Sequence, residues 1–235
     1  MRTLLFMLIV VTVVTSCKKY DYVSTIKVPN QSFSEEFDTM DAAYSRGWRF
    51  VNRSLPLGTE TWSQGSLLYF AAYSQAGAAP GNPYNAGYAV ATAYATTGTT
   101  PAGQAVISNW LVSPPVTMQN GDQITFYARD TLNAYVDRLQ VRINPHNASI
   151  EAGSGKEPGS FDVLLLDINP TYLPGPDPHA MPQNWTRFVA TISGLNQPVT
   201  GRFAFRQYIQ GGGPGNTEFG GILGVDKVQY ISISK

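Results

Sequence analysis

The side chains best able to do chemistry in this sequence sit in alternating runs. Ile124, Phe126 and Ala128 alternate with Thr125, Tyr127 and Arg129, and Leu139, Val141 and Ile143 alternate with Gln140 and Arg142. Phe203 and Phe205 repeat the pattern between Arg202, Ala204 and Arg206. A period of two sends apolar residues to one face of a strand and polar residues to the other. The outward set is then Tyr127, Arg129, Arg138, Gln140, Arg142, Arg206 and Tyr208. If the strands that carry it are neighbours, the set forms a cationic, aromatic face suited to carboxylated or hydroxyl-rich ligands. Guanidinium forks pair with oxygens, and tyrosine offers an apolar body with a polar tip. The plainer reading of the same pattern is a polar sheet face whose arginines pair with aspartates.

Catalysis has little to draw on. His146 and His179 occupy separate Pro- and Asn-containing stretches, and neither Gly-x-Ser-x-Gly nor His-Glu-x-x-His occurs. Cys17 is the only cysteine, which excludes an internal disulfide and any cysteine-based zinc site. Gly211-Gly212-Gly213-Pro214-Gly215-Asn216 lacks the Lys-Ser/Thr of a phosphate loop and reads as a flexible rim. The expectation is a chain that is not an enzyme, since only carboxylates converging from distant positions could be hidden in such a sequence.

Those residues must be positioned by strands. Charged residues are 14% of the chain against a usual share of about 25%, while Gly, Pro and Tyr are plentiful, which favours strands joined by turns. Val225 and the run Val228 to Ile233 give a last strand, and Asn120-Gly121-Asp122 makes a turn ahead of Ile124. One short helix is expected over Met40 to Arg46, with Asp38 or Thr39 as N-cap and Gly47 as stop. Gln75 to Asn85, Asn144 to Ser160 and Asn169 to Asn184 read as long loops. The fold expected is all-β, two antiparallel sheets packed face to face. Sixteen basic and sixteen acidic residues cancel, so no net field gathers nucleic acid, and none is expected as a partner.

The first residues read as a leader. Arg2 is a positive n-region and Leu4 to Val14 an apolar run too short to span roughly 30 Å of hydrocarbon. Val14-Thr15-Ser16-Cys17 resembles the lipobox of bacterial lipoproteins, which implies that Cys17 is the lipid-accepting residue and residues 1–16 a removable signal peptide. Acyl chains would then hold the protein to a membrane without a spanning helix. Lys18-Lys19 after the cysteine resembles the sorting signal for the outer membrane and cell surface. Residues 17–30 are read as lipidated cysteine and tether, and 31–235 as one domain.

A second resemblance covers nearly all of that domain. Phe33-Ser34-Glu35-Glu36-Phe37, Gly47-Trp48, Ser108-Asn109-Trp110-Leu111-Val112-Ser113-Pro114-Pro115, Ile124 to Arg129, Asn184-Trp185, Phe203 to Arg206 and Gly224-Val225-Asp226-Lys227-Val228, in that order, are similar to the cleaved-adhesin or choice-of-anchor J family, a relative of the MAM domain. The resemblance implies a jelly-roll β-sandwich of mostly non-catalytic surface proteins that adhere to host proteins or glycans. It also implies a structural calcium, for which Glu35, Glu36 and Asp226 are the candidate ligands because jelly rolls gather hard oxygens where the first strand meets the last. The chain departs from the family at Asn52 to Gly58, which offers no carboxylate, and at Lys227, where the family has a second acid. Trp48 and Trp110 read as core; Trp62 and Trp185 are open. The functional expectation is a surface-anchored module binding a glycan, polysaccharide or host glycoprotein, the alternative being an accessory envelope lipoprotein that binds a protein partner.

Overall fold

Alternation that switches between inward apolar and outward polar residues builds two sheets here. The computed structural model describes residues 30–73, 86–98, 105–131, 135–214 and 219–233. Cys17, the leader, nearly all of the tether and the whole 75–85 loop lie outside the described residues. In chain order the strands are β1 (Phe33–Glu35), β2 (Arg49–Asn52), β3 (Ser63–Gly65), β4 (Ala86–Thr92), β5 (Val106–Val112) and β6 (Val116–Met118). They continue as β7 (Gln123–Arg129), β8 (Leu139–Asn144), β9 (Val163–Ile168), β10 (Thr186–Thr191), β11 (Val199–Gln210) and β12 (Ile222–Ile231).

The first sheet runs β10-β7-β12-β4-β3, with β1 on the β4 side of β12; the second runs β2-β5-β11-β8-β9, with β6 on the β5 side of β11. All named pairings are antiparallel. This is the two-sheet β-sandwich that the alternation implies. Between the sheets, Phe126 meets Phe205 edge-on at 4.8 Å and Phe203 stacks with Tyr230 at 6.0 Å. Trp48, Leu111, Val141, Ile143 and Val225 complete the same core. Aromatic pairs in these geometries contribute about 0.5–1.5 kcal/mol each beyond the area they bury.

The expected short helix forms as α1 (Met40–Ser45), with Thr39 Oγ1 accepting from the Ala42 N–H at 3.1 Å and Gly47 taking a positive φ at the stop. Among the described residues, no helix is long and apolar enough to cross a membrane. β12 carries a register irregularity between Asp226 and Gln229, where Lys227 adopts φ 47°, as at a β-bulge.

Both outer faces are partly covered. The 145–162 segment folds over the second sheet, where Ala152 and Phe161 pack on Trp110, Val112 and Ala204. Every residue of β5 is therefore buried, on the core side and on the outer side alike. On the first sheet the chain after β3 lays Phe70 against Tyr88, Val90 and Trp185. Gly224 permits this close approach, since a Cβ there would sit 2.7 Å from the Phe70 ring and 2.9 Å from Trp185.

Candidate functional site

The outward row expected from the sequence is split by the topology. Tyr127 and Arg129 belong to β7 in the first sheet, while Gln140, Arg142, Arg206 and Tyr208 belong to β8 and β11 in the second. β8 and β11 are neighbours but β7 pairs with neither, so the seven residues do not form one face. Arg206 is 1% exposed. Its guanidinium lies 4.6 Å from the Trp110 ring centroid and 4.0 Å from that of Tyr208. It donates to Ser108 Oγ at 3.0 Å and to the carbonyls of Gly155 and Glu157 at 2.6 and 3.3 Å. Burial lowers its pKa to about 9. Gln140 and Tyr208 are buried too. Arg138 forks onto Asp167 at 2.6 and 2.8 Å, as the plainer reading expects of such arginines. On the first sheet, Tyr127 stacks under Tyr73 at 3.6 Å and Arg129 covers Phe70 at 4.3 Å.

The candidate calcium ligands are each engaged by donors of the chain. Glu35 is buried and takes two donors from Arg46, one of them at 2.8 Å, besides the Phe37 N–H at 3.0 Å. Glu36 accepts from Ser34 Oγ at 2.9 Å, and buried Asp226 accepts the N–H groups of Tyr73 and Lys227 at 2.8 and 2.6 Å. Among the described residues, no group of three or more His, Cys, Asp or Glu side chains is placed to hold a metal ion.

What the fold does assemble is a tyrosine-lined groove at one end of the first sheet. Thr92, the last residue of β4, caps the 3-10 turn Ala93–Ala95: its Oγ1 accepts from the Tyr94 N–H at 3.1 Å and donates to Glu60 Oε2 at 2.5 Å. Asn52 Nδ2 donates to the carbonyls of Glu60 and Ala95 at 2.7 and 2.6 Å, tying the two segments together from below. On the other side, the Tyr69 N–H donates to Ser66 O at 3.1 Å, and the Tyr88 hydroxyl pins Ser66 by donating to its carbonyl at 2.7 Å. Burial pushes the Tyr88 phenol well above its usual range, so it remains a donor at any physiological pH.

Two depressions meet along this line. One of about 280 Å³ is lined by Tyr69, Tyr94, Tyr135, Pro214, Gly220 and Gly221 among others. The second, of about 440 Å³, runs past Glu60, Thr61, Gln64 and Leu68, and shares Tyr69 and Thr92 with the first. Tyr94, Tyr69 and Tyr135 are 58%, 43% and 39% exposed, the backbones of the first two held by the hydrogen bonds above, and each presents ring surface to solvent. A concave strip of aromatic faces flanked by hydroxyl, amide and carboxylate groups accepts a ligand with apolar C–H faces and hydroxyl edges.

Beneath the groove floor lies a buried acid pair. The Gly221 N–H and Gln207 Nε2 donate to Asp137 at 2.9 and 2.8 Å, and the Thr131 N–H donates to Asp130 at 2.6 Å. Asp130 and Asp137 are 4% and 0% exposed. Burial, then the charge of Asp137, raises the pKa of Asp130 to about 9, and burial raises that of Asp137 to about 6.

None of Tyr69, Tyr94, Tyr135 or Glu60 stands out in the sequence. They lie outside the alternating runs, and among thirteen tyrosines nothing local distinguishes those on a rim. Tryptophan supplies no platform: Trp48, Trp62 and Trp110 are buried, and Trp185 packs on Phe70 while donating to Ala71 O at 2.8 Å. Gly213 and Pro214, from the expected flexible rim, do line the groove.

The fold is that of known adhesin domains. The K1 cleaved adhesin domain of Lys-gingipain from Porphyromonas gingivalis W83 superposes with TM-score 0.52 at 17% identity, covering 86% of this chain and 99% of that one. The K2 cleaved adhesin domain of Lys-gingipain gives TM-score 0.52 at 15% identity over 86% of this chain and 99% of its own. No family model matches the sequence, and no curated protein matches it.

Proposed function

We propose that this chain is a non-catalytic binding module, held at the cell surface by a lipid on Cys17, that grips a polysaccharide in the groove of Tyr69, Tyr94 and Tyr135. The observation that carries the reading is the exposure of three tyrosine rings along one groove whose remaining lining mixes hydroxyl, amide and carboxylate groups with small and apolar side chains. A pyranose ring lays its C–H face on an aromatic face while its hydroxyls bond to polar neighbours, a pairing that tolerates sequence-distant rings so long as they are rigid. Shallow grooves of this kind bind through several weak contacts, so loss of one ring weakens binding without abolishing the fold.

Tyr94→Ala is expected to lower affinity for a retained polysaccharide by about tenfold, the equivalent of about 1.4 kcal/mol, with unchanged thermal stability because the ring is largely in solvent. Affinity gel electrophoresis over a polysaccharide panel checks this; equal mobility of variant and wild type on every retaining gel would remove the groove from the reading. The anchor is tested separately. Cys17→Ser is expected to move the protein from the detergent phase to the aqueous phase after phase separation of cells that make it, and equal partitioning of the two proteins would contradict lipidation.

A further inference from the structure

We infer that the groove selects neutral polysaccharides over acidic ones, and that Glu60 makes the selection. This rests on the groove reading above and adds the class of ligand to it. Among the described residues lining the two depressions, Glu60 is the one charged side chain; the rest are Thr, Ser, Gln, Tyr, Ala, Val, Leu, Ile, Gly and Pro. Glu60 is solvent-exposed, and its Oε2 is fixed by the Thr92 hydroxyl at 2.5 Å, so a carboxylate charge stands at a set place in the strip that also holds Tyr69 and Tyr94.

Among the described residues lining the two depressions, no lysine or arginine offsets it. The segments 74–85, 99–104, 132–134 and 215–218 contain neither Lys nor Arg in sequence. The arginines expected to receive carboxylates are engaged elsewhere: Arg206 between Trp110 and Tyr208, Arg138 on Asp167, Arg129 over Phe70, and Arg142 on Gln140 Oε1 and the Phe161 carbonyl at 2.9 and 3.1 Å. A uronic acid laid in the groove would bring its carboxylate toward Glu60 with no lysine or arginine in the described lining to pair with it. A neutral sugar instead offers hydroxyls, and a carboxylate accepts hydroxyl donors strongly. Glu60 therefore attracts the neutral ligand and repels the acidic one, so one group sets the difference between the two affinities.

At about 6 Å and an effective dielectric constant of about 40, between the protein-surface and bulk-water values, two like charges disfavour binding about tenfold. The test is affinity electrophoresis of the full-length chain in non-ionic detergent through gels containing xylan, mannan, a mixed-linkage glucan, polygalacturonate or alginate, with wild type, Glu60→Gln and Tyr94→Ala. The expected result is retention of wild type by one or more neutral gels and by neither acidic gel. Glu60→Gln should weaken neutral retention. It should also gain retention on an acidic gel, about tenfold in apparent affinity at low salt, and the gap between the two proteins should shrink as salt screens the repulsion. Retention of wild type by an acidic gel, lost in Tyr94→Ala, would overturn the selectivity while leaving the groove in place. No retention by any polysaccharide would remove the glycan reading itself, and this inference with it.

Discussion

Arg206→Ala is expected to destabilise the protein by about 4 kcal/mol, more than any substitution in the groove. The guanidinium fills a slot between the faces of Trp110 and Tyr208, at 4.6 and 4.0 Å, and the alanine methyl leaves that slot open. A desolvated cation on an aromatic face contributes about 2 kcal/mol. The carbonyls of Gly155 and Glu157, drawn onto the sheet by the same guanidinium, would lose a charged donor, at about 1–3 kcal/mol for a buried group left unsatisfied. Opposing these is the burial of an arginine with no carboxylate bonded to it, which lowers its pKa to about 9 and costs free energy that alanine recovers. The packing and hydrogen-bond losses win because they are several and because oxygen acceptors and ring faces offset part of the desolvation of the charge. Arg206→Met, which keeps volume but not charge, should lose about half as much. Urea unfolding followed by tryptophan fluorescence separates the two variants; an alanine variant within 1 kcal/mol of wild type would show that the 145–162 segment does not depend on the arginine. Because the folded pKa lies below the unfolded one and both exceed 8, Arg206 is protonated in both states at neutral pH, and its contribution is independent of pH below about 8.

That residue also shows where sequence reading stops. Alternation in Phe203-Ala204-Phe205-Arg206 correctly assigns the phenylalanines to the core and Arg206 to the opposite face. It carries no information on whether that opposite face meets water, and here a loop lies over it. The same alternation around Tyr127 and Gln140 gives each strand its inward side but not its sheet, and the two strands lie in different sheets. The strands around 124–129, 139–143, 203–206 and 225–231, the short helix after Thr39, the 144–160 and 169–184 loops and the sandwich itself were legible, because each depends on local turn chemistry or period. The groove was not. Tyr69, Tyr94 and Tyr135 reach one place through a turn, a 3-10 cap and a strand approach separated by long stretches of chain, and only tertiary contacts bring them together. The buried acid pair was equally hidden, since nothing local at Asp130 or Asp137 marks either as solvent-free.

That pair makes stability fall as pH rises, opposite to the usual behaviour of paired carboxylates. In the unfolded chain both acids ionise near pH 4. In the folded protein Asp137 keeps its proton to about pH 6 and Asp130 to about pH 9, because two carboxylates out of water and facing each other cannot both be charged at low cost. The folded state therefore binds more protons than the unfolded state across this range. By linkage the stability associated with the pair is complete below about pH 4 and is lost as pH rises through the folded values. From about pH 6 to 9 one proton is involved, so unfolding free energy should fall by about 1.4 kcal/mol per pH unit. Asp130→Asn replaces the proton permanently: its Oδ1 can accept from the Thr131 N–H as the carboxylate does at 2.6 Å, and its amide can donate to Asp137. The variant should be more stable than wild type by about 2–4 kcal/mol at pH 8, and its stability should be nearly flat from pH 6 to 9. Urea unfolding at half-unit pH steps, in chelator so that no divalent cation substitutes for the proton, reads both slopes. A flat wild-type profile with no gain on substitution would mean that water reaches the pair and that both acids ionise. The Gly221 N–H, which is bonded to Asp137 at 2.9 Å and also lines the groove, would then rest on a hydrated support.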